Sequence, residues 1–467
     1  MAGESAGKQL RGWDAATFRT ASGDPTMRST VVAMAVLEES PDWPRLRARL
    51  ERLTLFAPQL RMRPLYGMLG VSAPRLSVDP DFDLDFHVHR YRLPENGTWD
   101  DVLRDARRIS LTDFDYNRPL WEATLIEGLP HGHAVFMLKL HHSIADGQAT
   151  VMIALTLFEL SADLNPDEPT PPEAPIGEDV SWQEVFMANT QDNISRAVGL
   201  VKGVVGTGVE VLKGTITDFD STVNKAIQTI GSVTRATSVY DKPLSPLLVE
   251  RGTTYTFGTL ELPFEAIRRS AKSQGMSVND AFMAAVMSGI QAYHLRHGSS
   301  AESLRVNVPI SLRGDAGDRS GQASNAVAIA RFPMPVAGLG VRELMEQAHE
   351  LVAQWRAEPA MRLADPLAEV SWFVPVPMLA HAAKASDVTT SNVPGPPIPI
   401  YLAGARMIAA YPLVATIGAA INVTMVTYDG HAFIGVSTDD RAVKDHTELM
   451  HDLRAGFHAV TVLPDTL

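Results

Sequence analysis

A chain of 467 residues, 45% hydrophobic and 20% charged, is too long for one ordinary core and is expected to form two large domains. Its formal net charge of -13 argues against nucleic acid as the main partner and gives no overall attraction to an anionic membrane, although a local basic patch for phosphates stays open. With no cysteine there is no disulfide, thiolate nucleophile or cysteine-ligated metal. The start, MAGESAGKQLRGWD, lacks the apolar core of a secretory leader, and no apolar run reaches about 18 residues, so cytoplasmic residence is expected.

The folded part opens at Gly12-Trp13-Asp14-Ala15-Ala16-Thr17-Phe18, followed by Pro25-Thr26-Met27-Arg28 and a strand over 30–37. Leu46, Leu50 and Leu53 recur at helical spacing, which predicts a helix over 43–55. Arg61 and Arg63, two apart, are read on one strand face, either a solvated edge or a phosphate contact. Phe82, Leu84 and Phe86 alternate with acidic or histidine positions, which predicts a half-buried strand over 79–89 with the phenylalanines in the core. A helix over 99–110 follows, then Pro119-Leu120-Trp121 and a strand over 121–126.

The stretch Lys139 to Gln148, KLHHSIADGQ, organises the chain. An apolar run over 134–140 leads into His141 and His142. Asp146 and Gly147 follow, then a segment over 150–160 that can be helical. Adjacent strand residues point to opposite faces, so at most one histidine should face any cleft. Three readings compete: a satisfied core or surface pair, metal ligands, and a general base. Metal is disfavoured because the pair lacks the H-x-x-x-H spacing and no second His/Asp/Glu cluster has zinc spacing. Neutral histidine, with a pKa near 6.5, can accept a proton at neutral pH.

Residues 165–180 are rich in Pro and Glu and read as a linker. Beyond it, Ile194, Val198, Val201, Val205, Val209 and Leu212 form an apolar helical stripe broken by Gly199, Gly203, Gly206 and Gly208. This is either a crossover of helices packed on both domains or a mobile, lipid-facing cover. The boundaries are accordingly 1–180, 181–250 for the crossover, and 251–467. A strand over 253–262 and a helix over 264–274 precede Ser277-Val278-Asn279-Asp280, which opens another helix through 290; helix capping is a sufficient local explanation for Asn279 or Asp280. Asn307-Val308-Pro309-Ile310-Ser311-Leu312-Arg313 lies on a strand over 304–312. Ser324-Asn325 follows a Gly/Asp-rich loop, and a strand over 326–332 ends at Pro333. Ser391-Asn392-Val393-Pro394-Gly395-Pro396 reads as a stiff, sharply directed loop. Strands over 420–428 and 431–437, joined by an Asp429-Gly430 turn, precede a last helix over 447–460.

The order of these motifs resembles that of the bacterial wax ester synthase/diacylglycerol acyltransferase family, within the HHxxxDG coenzyme A-dependent acyltransferase superfamily. The shared motifs are HHxxxDG at 141–147, PLW at 119–121, the N-D helix start at 279–280, V-P-I-S-L-R at 308–313 and S-N-V-P-G-P at 391–396. The chain departs from the family at Arg28, where a Pro-Met-His segment has histidine, at Ser277 for threonine, and at Ser324 for glycine.

The resemblance implies an α/β (α+β, mixed-sheet) fold of two chloramphenicol-acetyltransferase-like domains, with a channel between them and the HH strand at its centre. It implies transfer of a long-chain acyl group from acyl-coenzyme A to a lipid hydroxyl, diacylglycerol or a long-chain alcohol. His142 would be the base, with His141 a support. Asp146 would hold the loop, often through an arginine, and Gly147 would permit close approach. Asn279, Asp280, Arg313, Ser324, Asn325, Ser391 and Asn392 would orient substrate or shape the channel, Ser324 and Asn325 being candidate oxyanion donors. Pro119, Leu120, Trp121, Pro394 and Gly395 would be structural, with Trp121 beneath the HH strand. No cofactor or metal is implied; peripheral contact with membrane or lipid droplets is. The competing expectations are an acyltransferase acting on another alcohol and a non-catalytic lipid-binding scaffold.

Overall fold

The computed structural model describes residues 8–66, 73–95, 97–144, 147–177, 180, 184–185, 187, 242–311, 327–358 and 374–463. The first half runs β1 (Lys8–Gln9), α1 (Gly12–Gly23), β2 (Thr30–Leu37), α2 (Trp43–Phe56), β3 (Met62–Leu65), β4 (Arg75–Val78), α3 (Leu84–His87), β5 (Val88–Arg92), α4 (Trp99–Leu111), β6 (Trp121–Glu127), β7 (Ala134–His141) and α5 (Gly147–Leu157). The second half opens with β8 (Tyr255–Pro263), α6 (Phe264–Ser273), α7 (Val278–Arg296), β9 (Ser303–Ser311), β10 (Val327–Pro335) and α8 (Val341–Ala357). It closes with α9 (Val376–Lys384), β11 (Val388–Val393), β12 (Tyr401–Leu402), β13 (Ala405–Val414), β14 (Ile421–Tyr428), β15 (His431–Asp439) and α10 (His446–Thr461).

Local chemistry explains where the long elements start. The Asp42 carboxylate accepts from the Arg45 main-chain N–H at 2.8 Å and so caps α2, whose Leu46, Leu50 and Leu53 are all buried. Thr98 and Asp101 form a reciprocal capping box on α4. Every residue of β7 is buried, as a strand in the middle of a covered sheet must be. The Asp429-Gly430 turn has both residues at positive φ, 44° and 82°, the geometry a two-residue hairpin needs.

The two large sheets are mixed. The first has the order β12-β13-β2-β7-β6-β5, antiparallel except for the β5/β6 pair. The second has the order β10-β9-β11-β14-β15-β8, in which β11 runs parallel to both neighbours. Each sheet packs its own apolar core. Sheet membership does not follow chain order, because β12 and β13, from the second half, complete the first sheet. Pro412 sits within β13, opposite Ala33 of β2. On its other side β13 leans on β15: a Cβ built on Gly435 would stand 1.9 Å from the Pro412 carbonyl oxygen, so only glycine admits this approach. The Ser437 hydroxyl donates to the Val414 carbonyl at 2.5 Å along the same seam.

Four local expectations are corrected. The stretch over 79–89 is a turn, the single helical turn α3 and the start of β5, because Asp79 and Asp83 take the N–H groups of Asp81 and Asp85 (3.1 and 2.9 Å) and stop a strand from forming. Phe86 is consequently exposed rather than in the core. Arg61 ends a tight helical turn instead of sharing a strand face with Arg63; it donates to Thr54 Oγ1 at 2.9 Å and pairs with Glu51, an internal structural tie. The β10 strand continues through Pro333 because it is an edge strand, where a missing N–H can face outward. Ser391 to Val393 belong to β11, so the expected stiff loop begins only at Pro394.

The stretch over 165–180 contains no regular element at its described positions, but it is tied down. Arg49 meets Glu168 at 2.8 Å, and the Arg52 guanidinium donates to the Pro169 carbonyl. The apolar stripe from Ile194 to Leu212 lies outside the described residues.

Candidate active site

The end of β7 is gripped from both sides. The His141 main-chain N–H donates to the Leu120 carbonyl of the Pro119-Leu120-Trp121 segment at 3.0 Å, and the His142 N–H donates to the Ser29 carbonyl at 2.8 Å. Thr30 stands opposite His141 in the β2/β7 register. These bonds fix the chain direction at the corner where the strand becomes a short helical turn, His142 to Ile144.

The two histidines then face different environments. His141 is 2% exposed and packs against Phe18 and Phe114, with ring centroids 5.6 and 5.8 Å away. The Ser143 main-chain N–H donates to His141 Nδ1 at 3.2 Å, and Ser143 Oγ lies 2.7 Å from the same nitrogen. Because a main-chain amide can only donate, Nδ1 carries the lone pair and the ring proton sits on Nε2, which is buried with no hydrogen-bond partner among the described residues. Burial, with a smaller contribution from His142, pushes the His141 pKa down to about 3.

His142 is exposed. Desolvation by the surrounding protein nevertheless lowers its pKa.

Two further residues lie beside the pair, on opposite faces of the sheet: Trp121, opposite Leu140, and Lys139, opposite Glu122. Trp121 is fully buried, donates from Nε1 to the Leu60 carbonyl at 2.7 Å and stacks on His87 at 4.7 Å. Lys139, two residues before His141 and therefore on the same strand face, is almost completely buried. Its Nζ lies 3.1 Å from Glu122, its cross-strand partner, and 4.2 Å from the centroid of the Phe114 ring.

The pKa of His141 makes stability depend on pH. In the unfolded chain the ring titrates near 6.5, whereas the folded protein resists protonation until about 3. The unfolded state therefore binds more protons between those values, and stability falls as pH drops below about 6.5. His141 alone is expected to remove about 2 kcal/mol between roughly pH 7.5 and pH 5. Denaturant unfolding at the two pH values checks this. The His141→Gln variant should lose about 2 kcal/mol less than the wild type over the interval, and equal losses would contradict it.

The other sequence-predicted residues are distributed as follows. Asp146, Arg313, Ser324 and Asn325 lie outside the described residues, and Gly147 begins α5. Asp280 is buried, forms a capping box with Ser277 and meets His349 Nδ1 at 2.9 Å, while Asn279 donates weakly to Met283. Ser391 and Asn392 are half-buried on β11, opposite Thr424 and Met425. Pro394 is exposed, and Gly395 lies so close to the Thr427 carbonyl that a Cβ would come within 2.1 Å. Among the described residues, no hydrogen bond or ion pair joins Asn279, Asp280, Ser391 or Asn392 to the histidine pair.

The chain also matches known proteins. Residues 10–282 match the wax ester synthase/diacylglycerol acyltransferase catalytic domain, and residues 323–461 match the C-terminal domain of the same family. The chain belongs to the wax ester synthase/diacylglycerol acyltransferase family. It is 31% identical over 443 residues to a Mycobacterium tuberculosis protein provisionally named a diacylglycerol O-acyltransferase, covering 94% of this chain and 89% of that one. A second M. tuberculosis protein, with a provisional name of the same kind, is 25% identical, with 93% and 92% covered. The wax ester synthase/diacylglycerol acyltransferase of Marinobacter aquaeolei VT8 shares the fold, with a TM-score of 0.63, 19% identity, and 97% and 98% of the chains covered. The first condensation domain of a calcium-dependent antibiotic synthetase also shares it, with a TM-score of 0.63, 16% identity, and 97% and 95% covered.

Sequence reasoning missed Lys139, Ser143, Phe18 and Phe114 as neighbours of the pair. A lysine inside the apolar run Ala134-Val135-Phe136-Met137-Leu138-Lys139-Leu140 was the one visible signal. The aromatic partners come from α1 and from the residues after α4, and only folding brings them to the site.

Proposed function

We propose that this member of the wax ester synthase/diacylglycerol acyltransferase family transfers a long-chain acyl group from acyl-coenzyme A to the hydroxyl of diacylglycerol or a long-chain alcohol, with His142 as the general base. The observation that carries the reading is the state of His142: exposed at the end of β7 and, with its pKa lowered by desolvation, neutral at working pH. In the proposed reaction Nε2 takes the alcohol proton as the oxygen attacks the thioester carbonyl. The tetrahedral oxyanion collapses, the carbon–sulfur bond breaks, and the proton on Nε2 passes to the departing coenzyme A thiolate. No covalent acyl-protein intermediate is required, so both substrates occupy the site together, and orientation supplies much of the acceleration.

The finer architecture belongs to the same proposal: two chloramphenicol-acetyltransferase-like lobes with a channel between them, entered by the acyl donor and the acceptor. His141 supports the corner from the buried side. Contact with lipid surfaces would be peripheral, since among the described residues no helix is long and apolar enough to cross a membrane. The test is a competition assay in which palmitoyl-coenzyme A meets diacylglycerol, hexadecanol and a polar alcohol, with the esters resolved by chromatography. Triacylglycerol or wax ester is the expected product. Ester from the polar alcohol alone would favour a different acceptor class, and no ester or thiol release would favour a binding scaffold.

A further inference from the structure

Arg28 leaves the first sheet at the corner where His142 stands. Thr30 is paired with His141, the Ser29 carbonyl accepts the His142 N–H at 2.8 Å, and Arg28 is the next residue outward. Its side chain is half-buried. The one hydrogen bond it makes among the described residues is a long contact of 3.4 Å from Nη1 to the Thr253 carbonyl, just before β8 of the second sheet. No carboxylate of the described residues lies within ion-pair distance of it. Other arginines of the first half differ: Arg45, Arg49, Arg61, Arg90 and Arg107 each have a carboxylate partner.

The surroundings of Arg28 are those of the site. Its charge is felt by Tyr116, Lys139 and Tyr255. Tyr116 packs on Phe18, which packs on His141. A half-buried guanidinium has lost hydration, and a single long bond to one carbonyl leaves most of its five N–H donors without acceptors among the described residues. Such a group, one residue from the main-chain partner of His142, is placed to meet oxygen atoms of a bound substrate.

We propose that Arg28 is a specificity-determining residue that donates hydrogen bonds to the ester oxygens flanking the reactive hydroxyl of a diacylglycerol-type acceptor, favouring it over a bare aliphatic alcohol. This rests on the acyl-transfer reading of the site. The position selects the acceptor over the donor's phosphates: those phosphates stand the whole pantetheine arm away from the thioester, whereas the glycerol ester oxygens are a few bonds from the hydroxyl that His142 serves. A hexadecanol molecule offers no second oxygen, so it gains nothing from the guanidinium.

The experiment compares the full-length wild type with Arg28→Ala and Arg28→Lys. Palmitoyl-coenzyme A is the donor and diacylglycerol or hexadecanol the acceptor, with release of free coenzyme A thiol followed in the absence of acceptor. In Arg28→Ala the ratio of kcat/KM for diacylglycerol to that for hexadecanol is expected to fall by about 10- to 100-fold, chiefly through KM for diacylglycerol. Acceptor-free thiol release and the denaturant midpoint should stay near wild type, and Arg28→Lys should recover part of the ratio. A ratio within about twofold of wild type overturns the proposal. So does a parallel fall in both acceptors and in acceptor-free release, which would assign Arg28 to the donor or to the seam with Thr253. If the wild type neither releases thiol nor forms either ester, the acyl-transfer reading itself fails, an outcome distinct from an unchanged ratio in an active enzyme.

Discussion

Replacing His142 with alanine is expected to lower kcat by about 100- to 10,000-fold while leaving the fold intact. The fold should survive because the side chain is exposed and the anchoring bond, from the His142 N–H to Ser29, is made by the main chain and persists in alanine. The loss should appear in kcat and kcat/KM together, since a base acts on the proton only as the new bond forms. The pH profile of the wild type gives an independent check. In the proposed reaction the neutral ring is the active form, and its pKa is held below the ordinary value by desolvation. The rate should therefore be level from neutral pH upward and fall only as pH drops below about 6.5. A folded His142→Ala protein with near-normal turnover would refute the base assignment, and a midpoint above about 7 would contradict the environment described for the ring.

The second large effect concerns Lys139 and Glu122. Glu122→Ala is expected to destabilise the protein by about 3 kcal/mol, because it leaves an almost completely buried ammonium facing Phe114 with no carboxylate at hydrogen-bond distance. Lys139→Met should cost less than about 1.5 kcal/mol: it keeps the volume, removes the buried charge, and leaves Glu122, which is 24% exposed, able to reach water. The asymmetry is the test, read from denaturant unfolding of both variants at one pH. The stability of Glu122→Ala should also rise with pH. Burial already lowers the Lys139 pKa, the folded state binds fewer protons than the unfolded one as lysine titrates, and losing Glu122 lowers that pKa further. Equal losses in the two variants would show that the pair contributes through packing rather than charge.

Several elements could be read from local pattern because their determinants are local. Leu46, Leu50 and Leu53 announced α2, and Asp429-Gly430 announced the hairpin between β14 and β15. The run over 134–140, apolar except for Lys139, announced β7, and strand alternation implied that at most one of His141 and His142 would face a cleft. The stretch over 79–89 defeated the same method. Its alternating phenylalanines have the period of a strand, but aspartate side chains compete for the main-chain N–H groups, and periodicity does not report that competition.

The sequence by itself determined the family, the motif and which residue types stand at the corner, because HHxxxDG, PLW and S-N-V-P-G-P are contiguous patterns that need no folding to be recognised. Only the tertiary structure decided what each histidine can do. The exposure of His142 follows from its place where β7 gives way to a helical turn, and the neutrality of His141 follows from Phe18, Phe114 and Ser143 closing around it. Membership of the sheets was likewise a tertiary result. Strand β13 joins β2, more than 300 residues earlier in the chain, through main-chain pairing that no local pattern encodes, and Gly435 lets its Pro412 carbonyl approach the other sheet. Desolvation and long-range pairing depend on what surrounds a residue in space, and sequence order does not carry that information.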